Sequence, residues 1–280
     1  MKNINIYAFA DEASNNFDEQ IIALKKNNLQ GIEIRGVDGE NISDISIEKA
    51  KIIKTKLDDA GLIAWSIGSP LGKVKIENDF NEHVDKLKHT LEISSILDSK
   101  NIRMFSFFMD DGKNPADYKD EVIERLSKMV EIAKPYGIDL CHENEKGIYG
   151  DIACRCLDVL KAVPNLKGIF DPANFIQCNQ DTLEAWDMLS SYIKYFHVKD
   201  AQENGFVVPS GKGAGNVQII ANKFIALGGK DFTIEPHLTV FDGLAELEQE
   251  GDKSVVGEVF KFASKEEAFD VACNSFKSLI

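Results

Sequence analysis

Short apolar runs alternate with longer amphipathic stretches along the whole chain. The apolar runs have the length and composition of β-strands, which predicts strands at 4–9, 31–35, 62–67, 101–108, 138–143, 166–171, 193–198 and 231–235. Apolar residues at helical spacing lie between these runs and predict helices at 17–28, 46–61, 81–99, 119–137 and 151–163, with another helix closing the chain. The pattern is a repeated strand–helix unit.

Eight such units in 280 residues give about 35 residues per unit, which suits parallel strands joined by crossover helices. Eight units close into a (β/α)₈ TIM barrel, so we predict an α/β fold with one domain spanning 1–280. A doubly wound open sheet is the alternative. It favours G-x-G-x-x-G after the first strand, where this chain reads AFADEAS.

The charge and the apolar content exclude several classes of partner. With 32 Lys and Arg against 46 Asp and Glu, the net charge of −14 argues against binding nucleic acid or anionic membranes. The N-terminal MKNINIYAFADEAS has the pattern of a first strand rather than a signal peptide, and no apolar run is long enough to span a bilayer. Five cysteines without a C-x-x-C pair predict reduced thiols in a cytoplasmic protein.

The last four predicted strands all end in side chains that bind metals, and barrel active sites form at these strand ends. A single carboxylate at a strand end is more often a helix cap, but four consecutive units favour a metal site. Three carboxylates and one imidazole suit Mn²⁺ or Mg²⁺ and tolerate Co²⁺ or Zn²⁺. In chain order the four residues are Glu143, Asp171, His197 and Glu235.

Several motifs carry a resemblance to a known family: HEN, FDPANF, FHVKDA followed by a PxGxG loop, and IEPH. In order and along the whole chain they resemble the sugar phosphate isomerase/epimerase family with a xylose isomerase-like barrel. The resemblance implies one divalent metal ion, with Mn²⁺ favoured, held by the same four residues. It further implies that Glu143 and Glu235 act as the acid/base pair, and that the protein could form dimers or tetramers.

Two positions depart from the family pattern. Asn174 and Glu145 stand where relatives often carry histidine, and in relatives both positions face the substrate. Glu33 matches a position that contacts sugar, although a structural salt bridge explains it equally well, and His142 should face away from Glu143 by strand alternation. The expected substrate-binding residues are Glu33, Glu145, Asn174, Lys199, Lys212 and His237.

Lys199 shares a strand face with His197, and His237 lies two residues beyond Glu235. PSGKGAG, at 209–215, is not a Walker A sequence. We interpret it as the family's loop after the seventh strand, with Lys212 as a candidate phosphate contact.

Three functions are compatible with these residues. The leading one is a metal-dependent isomerase or epimerase of a sugar or keto-sugar, which moves a proton through a metal-stabilised enediolate. The second is a dehydratase or β-eliminase acting on a keto-inositol or 3-keto-glycoside, and the third is a non-catalytic sugar-binding barrel. DNA-repair endonucleases on this barrel type hold three metals with additional histidines, and five histidines in this chain are too few for such a site.

Overall fold

The computed structural model describes residues 4–110, 112–241, 256–257 and 259–280. Eight parallel strands form a closed barrel in which each strand pairs with its neighbours in the chain, and the last strand pairs with the first. The predicted barrel is confirmed. The strands are β1 (Asn5–Ala8), β2 (Gly31–Ile34), β3 (Ile63–Ile67), β4 (Asn101–Met104), β5 (Asp139–Glu143), β6 (Lys167–Phe170), β7 (Ile193–Val198) and β8 (Asp231–Ile234).

Nine α-helices lie in the described part of the chain and surround this barrel. They are α1 (Phe17–Lys26), α2 (Ile47–Ala60), α3 (Phe80–Ile96), α4 (Lys119–Ala133), α5 (Ala153–Ala162), α6 (Pro172–Gln177), α7 (Thr182–Leu189), α8 (Val217–Ala226) and α9 (Lys265–Lys277). The bounds of α6, α7 and α8 were not predicted from the hydrophobic pattern. The first two both lie between β6 and β7, where the unit contains two short helices instead of one long helix.

The fourth strand is shorter than predicted, because it ends at Met104 rather than at 108. Beyond it the chain turns to pair with the loop that follows β3. The backbone N–H of Phe105 donates to the carbonyl of Leu71 at 2.7 Å, and that of Phe107 donates to Gly72 at 2.8 Å. Phe107 also adopts a φ of 65°, which no regular strand allows. These hydrogen bonds replace the strand ladder and fix the barrel rim.

The helix predicted at 119–137 is also shorter, because α4 ends at Ala133. Pro135 lies in the 3₁₀ turn that follows, and proline has no N–H to continue an α-helical ladder. Gly137 then takes the left-handed conformation, with a φ of 65°. The proline and the glycine therefore set this boundary, which periodicity alone placed too late.

A bulge between β2 and β3 places a carboxylate inside the barrel. The register runs from Gly31 opposite Ile63 to Glu33 opposite Ser66, so β3 contains one extra residue at this point. The strands are also very close here. A Cβ on Gly31 would lie 2.1 Å from the carbonyl oxygen of Ile63. The shifted register brings Ser66 Oγ within 3.2 Å of Glu33 Oε1.

The inside of the barrel divides into an aromatic layer and a charged layer. The aromatic layer contains Tyr7 stacked on Trp65, with ring centroids 4.8 Å apart, and Tyr195 at the edge of Trp65. Towards the C-terminal ends of the strands lie buried charged side chains, which form the site described below. Within the described residues, the structure contains no helix with the length and apolar character needed to cross a bilayer.

Candidate metal-binding active site

The four residues predicted from the strand ends converge at the C-terminal mouth of the barrel. One ligand atom from each lies within 4.8 Å of the others, and all four residues are buried. These four candidate ligands are Glu143 at the end of β5, Asp171 directly after β6, His197 in β7 and Glu235 directly after β8. Side chains from four successive strands can meet in this way because parallel strands place their carboxyl ends at one edge.

His197 lies between two carboxylates. Its Nδ1 is 2.8 Å from Glu143 Oε1, and its Nε2 is 3.1 Å from Glu33 Oε2. Burial lowers the pKa of His197, but the charges of Glu143 and Glu33 outweigh burial and raise the pKa to about 10. Tyr195 donates a hydrogen bond to Glu33 Oε1 at 2.8 Å and fixes that carboxylate. The structure shows Glu33 in contact with His197, and its expected contact with sugar stays a prediction.

Glu143 has a second cationic neighbour, Arg103 on β4. Arg103 Nη1 lies 3.2 Å from Glu143 Oε2, and both side chains are about 2% exposed. Burial raises the pKa of Glu143, but the charges of His197 and Arg103 outweigh it and lower the pKa to about 2. Glu143 is therefore a carboxylate at neutral pH.

Asp171 begins α6 and is held by two asparagines. Its Oδ1 accepts a hydrogen bond from the N–H of Asn174 at 2.9 Å, which caps the helix. The side chain of Asn144 exchanges two hydrogen bonds with the backbone of Asp171, and the Asn174 amide donates to the carbonyl of Asn144. Asn174, which we expected to contact substrate, thus uses its amide N–H to connect β5 with α6.

The other oxygen of Asp171 lies beside a lysine. Asp171 Oδ2 is 2.9 Å from Lys199 Nζ, yet it accepts no hydrogen bond of normal geometry among the described residues. Burial raises the pKa of Asp171 to about 7, although the charge of Lys199 acts in the opposite direction. A fully buried carboxylate oxygen without a well-formed hydrogen bond is a position where a cation would be stabilised.

Glu235 contacts cations from two sides. Lys199 Nζ lies 2.8 Å from its Oε2, and Arg35 Nη1 lies 3.3 Å from its Oε1. Burial raises the pKa of Glu235, but the charges of Lys199 and His237 outweigh burial and hold the pKa well below its usual range. Lys199 points to the same side of the barrel as His197, as strand alternation predicted.

His237 turns towards the site from the loop after β8. Its Nδ1 lies 3.0 Å from Glu12 Oε1 and 3.8 Å from Glu235 Oε1, with its backbone at a φ of 45°. Glu12, Glu235 and His237 also place ligand atoms within 4.8 Å of one another. Arg35 contacts both carboxylates, at 3.1 and 3.3 Å, so a guanidinium already supplies a positive charge to this second cluster.

The remaining expected residues lie outside this contact network. Glu145 pairs with Lys73 at 2.8 Å and is about 19% exposed. Lys212 is exposed, and its side chain makes none of the described contacts with the candidate ligands. His142 faces away from the site, as predicted, and its Nε2 lies 2.9 Å from Ser106 Oγ.

Sequence reasoning missed Arg103 and Glu12. Arg103 could have been recognised from the sequence, because it lies between apolar residues in the predicted strand NIRMF. A buried strand holds a charge only when an opposite charge faces it, so an arginine there indicates a carboxylate nearby. Glu12 left no such signal, since it lies in a turn of ordinary polar composition.

The donor set fits a divalent metal ion. Three carboxylates and one imidazole are within reach of one another, and Asp171 Oδ2 has no well-formed hydrogen bond. The second imidazole nitrogen of His197 faces Glu33, and metal-binding histidines commonly donate their second N–H to such a carboxylate.

The barrel and this cluster define a TIM barrel with a buried metal-type donor set at its C-terminal mouth. The chain belongs to the xylose isomerase-like TIM barrel family, whose model matches residues 21–228. No curated protein matches the chain by sequence at a significant level.

Solved structures share the fold over nearly the full length. The chain is similar to the probable 3-DHS dehydratase AsbF of Bacillus anthracis, with a TM-score of 0.73, 17% identity, and 99% and 98% of the two chains covered. It is similar to the IolI protein with a bound zinc atom, with a TM-score of 0.75, 16% identity, and 99% and 97% covered. It is also similar to a D-allulose 3-epimerase of Methylomonas sp., with a TM-score of 0.76, 12% identity, and 100% and 99% covered.

Proposed function

We propose that this protein is a divalent-metal-dependent enzyme that isomerises or epimerises a sugar or keto-sugar by proton transfer. The observation that carries the proposal is the convergence of the four candidate ligands, with ligand atoms within 4.8 Å of one another at the barrel mouth. Buried groups with shifted pKa values at this end of a TIM barrel are typical of active sites. Family membership and the epimerase among the structural relatives support the same class of reaction.

Mn²⁺ is the proposed ion, because three of the four donors are carboxylates. The zinc atom in the IolI structure makes Zn²⁺ the first alternative to test. A divalent ion at this position would supply positive charge that stabilises the enediolate formed when a proton leaves the carbon beside a carbonyl.

Glu143 and Glu235 are the proposed acid/base pair. The cations around them lower both pKa values, so both start as carboxylates, the form that accepts a proton. Asp171 caps α6 and His197 is held by two carboxylates, which suits them to act as ligands without moving a proton.

The proposed substrate is a small sugar, with Glu145, Lys212 and His237 as the groups to test around it. Because none of the five cysteines, all within the described residues, forms a disulfide, we place the enzyme in the cytoplasm. A homo-oligomer is part of the proposal and is tested by light scattering.

The experiment is turnover of a ketose panel, with and without phosphate groups, in D₂O containing Mn²⁺. Deuterium entering the recovered sugar at the carbon beside the carbonyl supports the proposal. Glu143→Gln should lower the rate by about 10²- to 10⁴-fold, because it removes the proton acceptor. The exposed Glu124→Gln on α4 is the control. No exchange on any ketose, with or without Mn²⁺, would refute the proposal.

A second candidate function is elimination of water or an aglycone from a keto-inositol or 3-keto-glycoside. Glu145 stands where relatives often carry histidine. It pairs with Lys73, and these two side chains form an acid/base pair that could protonate a leaving group. Loss of water or aglycone in the same NMR experiment, and its sensitivity to Glu145→Gln, distinguishes elimination from isomerisation.

A further inference from the structure

Lys199 places its ammonium group among the atoms that would bind the metal. Its Nζ lies 2.9 Å from Asp171 Oδ2 and 2.8 Å from Glu235 Oε2, and its side chain is 5% exposed. Both of its described side-chain contacts are thus candidate ligands from different strands. A divalent ion held by Asp171 and Glu235 needs the same two carboxylates.

The lysine has an electrostatic function whenever no ion is bound. Asp171 and Glu235 are both buried, and two buried carboxylates without a nearby cation would be strongly destabilising. Lys199 places one positive charge beside both carboxylates, and Arg35 supplies a second one beside Glu235. The compensation also has a cost for metal binding, because an ammonium group and a divalent ion that share two ligands repel each other at short range.

The two arginine side chains of the site are less free to move than that of Lys199. Arg35 is fixed by three hydrogen bonds to Asp11 and Glu12. Arg103 donates to the carbonyl of Gly68 in addition to Glu143. A lysine has a flexible stem and a compact charge, so it can withdraw where a clamped guanidinium cannot.

We propose that Lys199 is a built-in counter-cation of the metal site. It holds Asp171 and Glu235 in place in the metal-free protein and gives up at least one of these contacts when the divalent ion binds. It thereby lowers the affinity of the site for the ion below what the four candidate ligands alone would give. The inference rests on the metal site of the proposed function and adds a residue that sets its affinity.

The test compares Lys199→Met with Lys73→Met, using full-length protein stripped with EDTA and titrated with Mn²⁺ by calorimetry. Lys73 is a matched control, because it is equally buried and also pairs with a carboxylate, that of Glu145, outside the four candidate ligands. We expect Lys199→Met to bind Mn²⁺ at least about tenfold more tightly than the unmodified protein. The Mn²⁺ affinity of Lys73→Met should stay within about twofold of that of the unmodified protein. The stripped Lys199→Met protein should also melt at a lower temperature than the stripped unmodified protein.

Equal or weaker Mn²⁺ binding by Lys199→Met overturns the inference, as does an equal gain in Lys73→Met. If stripped Lys199→Met does not fold, it is purified with Mn²⁺ and its affinity is measured by chelator competition, with Lys199→Gln as a second variant. Unchanged affinity alongside ketose turnover leaves the proposed function standing and removes only the inference. Tighter Mn²⁺ binding by Lys199→Met without any proton exchange supports the inference and refutes the proposed function. Absence of Mn²⁺ binding in all proteins overturns both the inference and the proposed function.

Discussion

Glu33 acts on the site through a histidine. Its Oε2 lies 3.1 Å from His197 Nε2, while Tyr195 and Ser66 donate to its Oε1 at 2.8 and 3.2 Å. The carboxylate therefore fixes the orientation of the imidazole, so that Nδ1 faces the other candidate ligands. A partner of this kind commonly affects metal affinity although it never contacts the ion.

We predict that Glu33→Gln weakens Mn²⁺ binding by about 10- to 100-fold with the barrel intact, because the imidazole loses its charged partner. Calorimetric titration measures the affinity, and circular dichroism checks the fold. Ser66→Ala is the control, since it removes a neutral hydrogen bond from the same carboxylate and should have a smaller effect. Unchanged affinity in Glu33→Gln would show that Glu33 does not position the ligand.

At the scale of elements, one carboxylate organises the loop after β7. Asp200 Oδ2 accepts hydrogen bonds from the N–H groups of Gly211 and Gly213, at 2.8 and 3.0 Å. Its Oδ1 accepts from Ala201 and Gly215, both at 2.9 Å. The PSGKGAG segment is therefore held by hydrogen bonds at three glycines, whereas a loop that closes over substrate has to be free to move.

Asp200→Asn should lower the free energy of unfolding by about 2–4 kcal/mol, since the new amide group would face N–H donors and leave them unsatisfied. Urea unfolding measures the loss. The matched control is Asp181→Asn at the start of α7, where a single oxygen accepts both capping bonds and asparagine caps equally well. Similar losses in the two variants would contradict this role for Asp200.

His83 on α3 connects the stability of the rim to pH. Burial lowers its pKa from 6.5 to about 4, and the charges of Lys86 and Arg125 act in the same direction. The neutral ring is needed, because Nε2 accepts a hydrogen bond from Gly72 N–H at 2.9 Å. Between these pKa values the unfolded chain binds a proton that the folded chain does not, so stability falls as the pH drops from 6.5 towards 4.

This histidine should account for up to about 3 kcal/mol of the stability lost on acidification. His83→Gln keeps a hydrogen-bond acceptor but cannot titrate, so its unfolding free energy should fall less steeply below pH 6.5. Comparison at pH 8, where histidine is neutral in both states, gives the packing cost separately. Parallel pH curves for the two proteins would contradict the prediction.

On the scale of the whole molecule, a metal bound at the barrel mouth would join β5, β6, β7 and β8. We predict that Mn²⁺ at 100 times its dissociation constant raises the free energy of unfolding of the stripped protein by about 2.7 kcal/mol, and that EDTA reverses the gain. Thermal unfolding at several ion concentrations measures it. At the same Mn²⁺ concentration, Glu143→Gln should show a smaller gain, and an equal gain would indicate that the ion binds elsewhere.

The sequence alone determined the barrel and the four candidate ligands. Both depend on local features, since an apolar run shows where a strand lies and the polar residue that ends it lies in the barrel mouth. The sequence-based prediction was wrong where contacts with a distant loop end an apolar run. The fourth strand was predicted to reach 108, but it ends at Met104 because the backbone beyond it hydrogen-bonds with another loop.

Only the tertiary structure decided what each ligand contacts. Arg103 meets Glu143, Glu33 meets His197, and Lys199 bridges two strands. These partners are 28 to 164 positions apart in the chain, so barrel closure, the register and the bulge between β2 and β3 bring them together. The sequence supplies the ionisable groups, but their charges and partners follow from the burial that closure imposes.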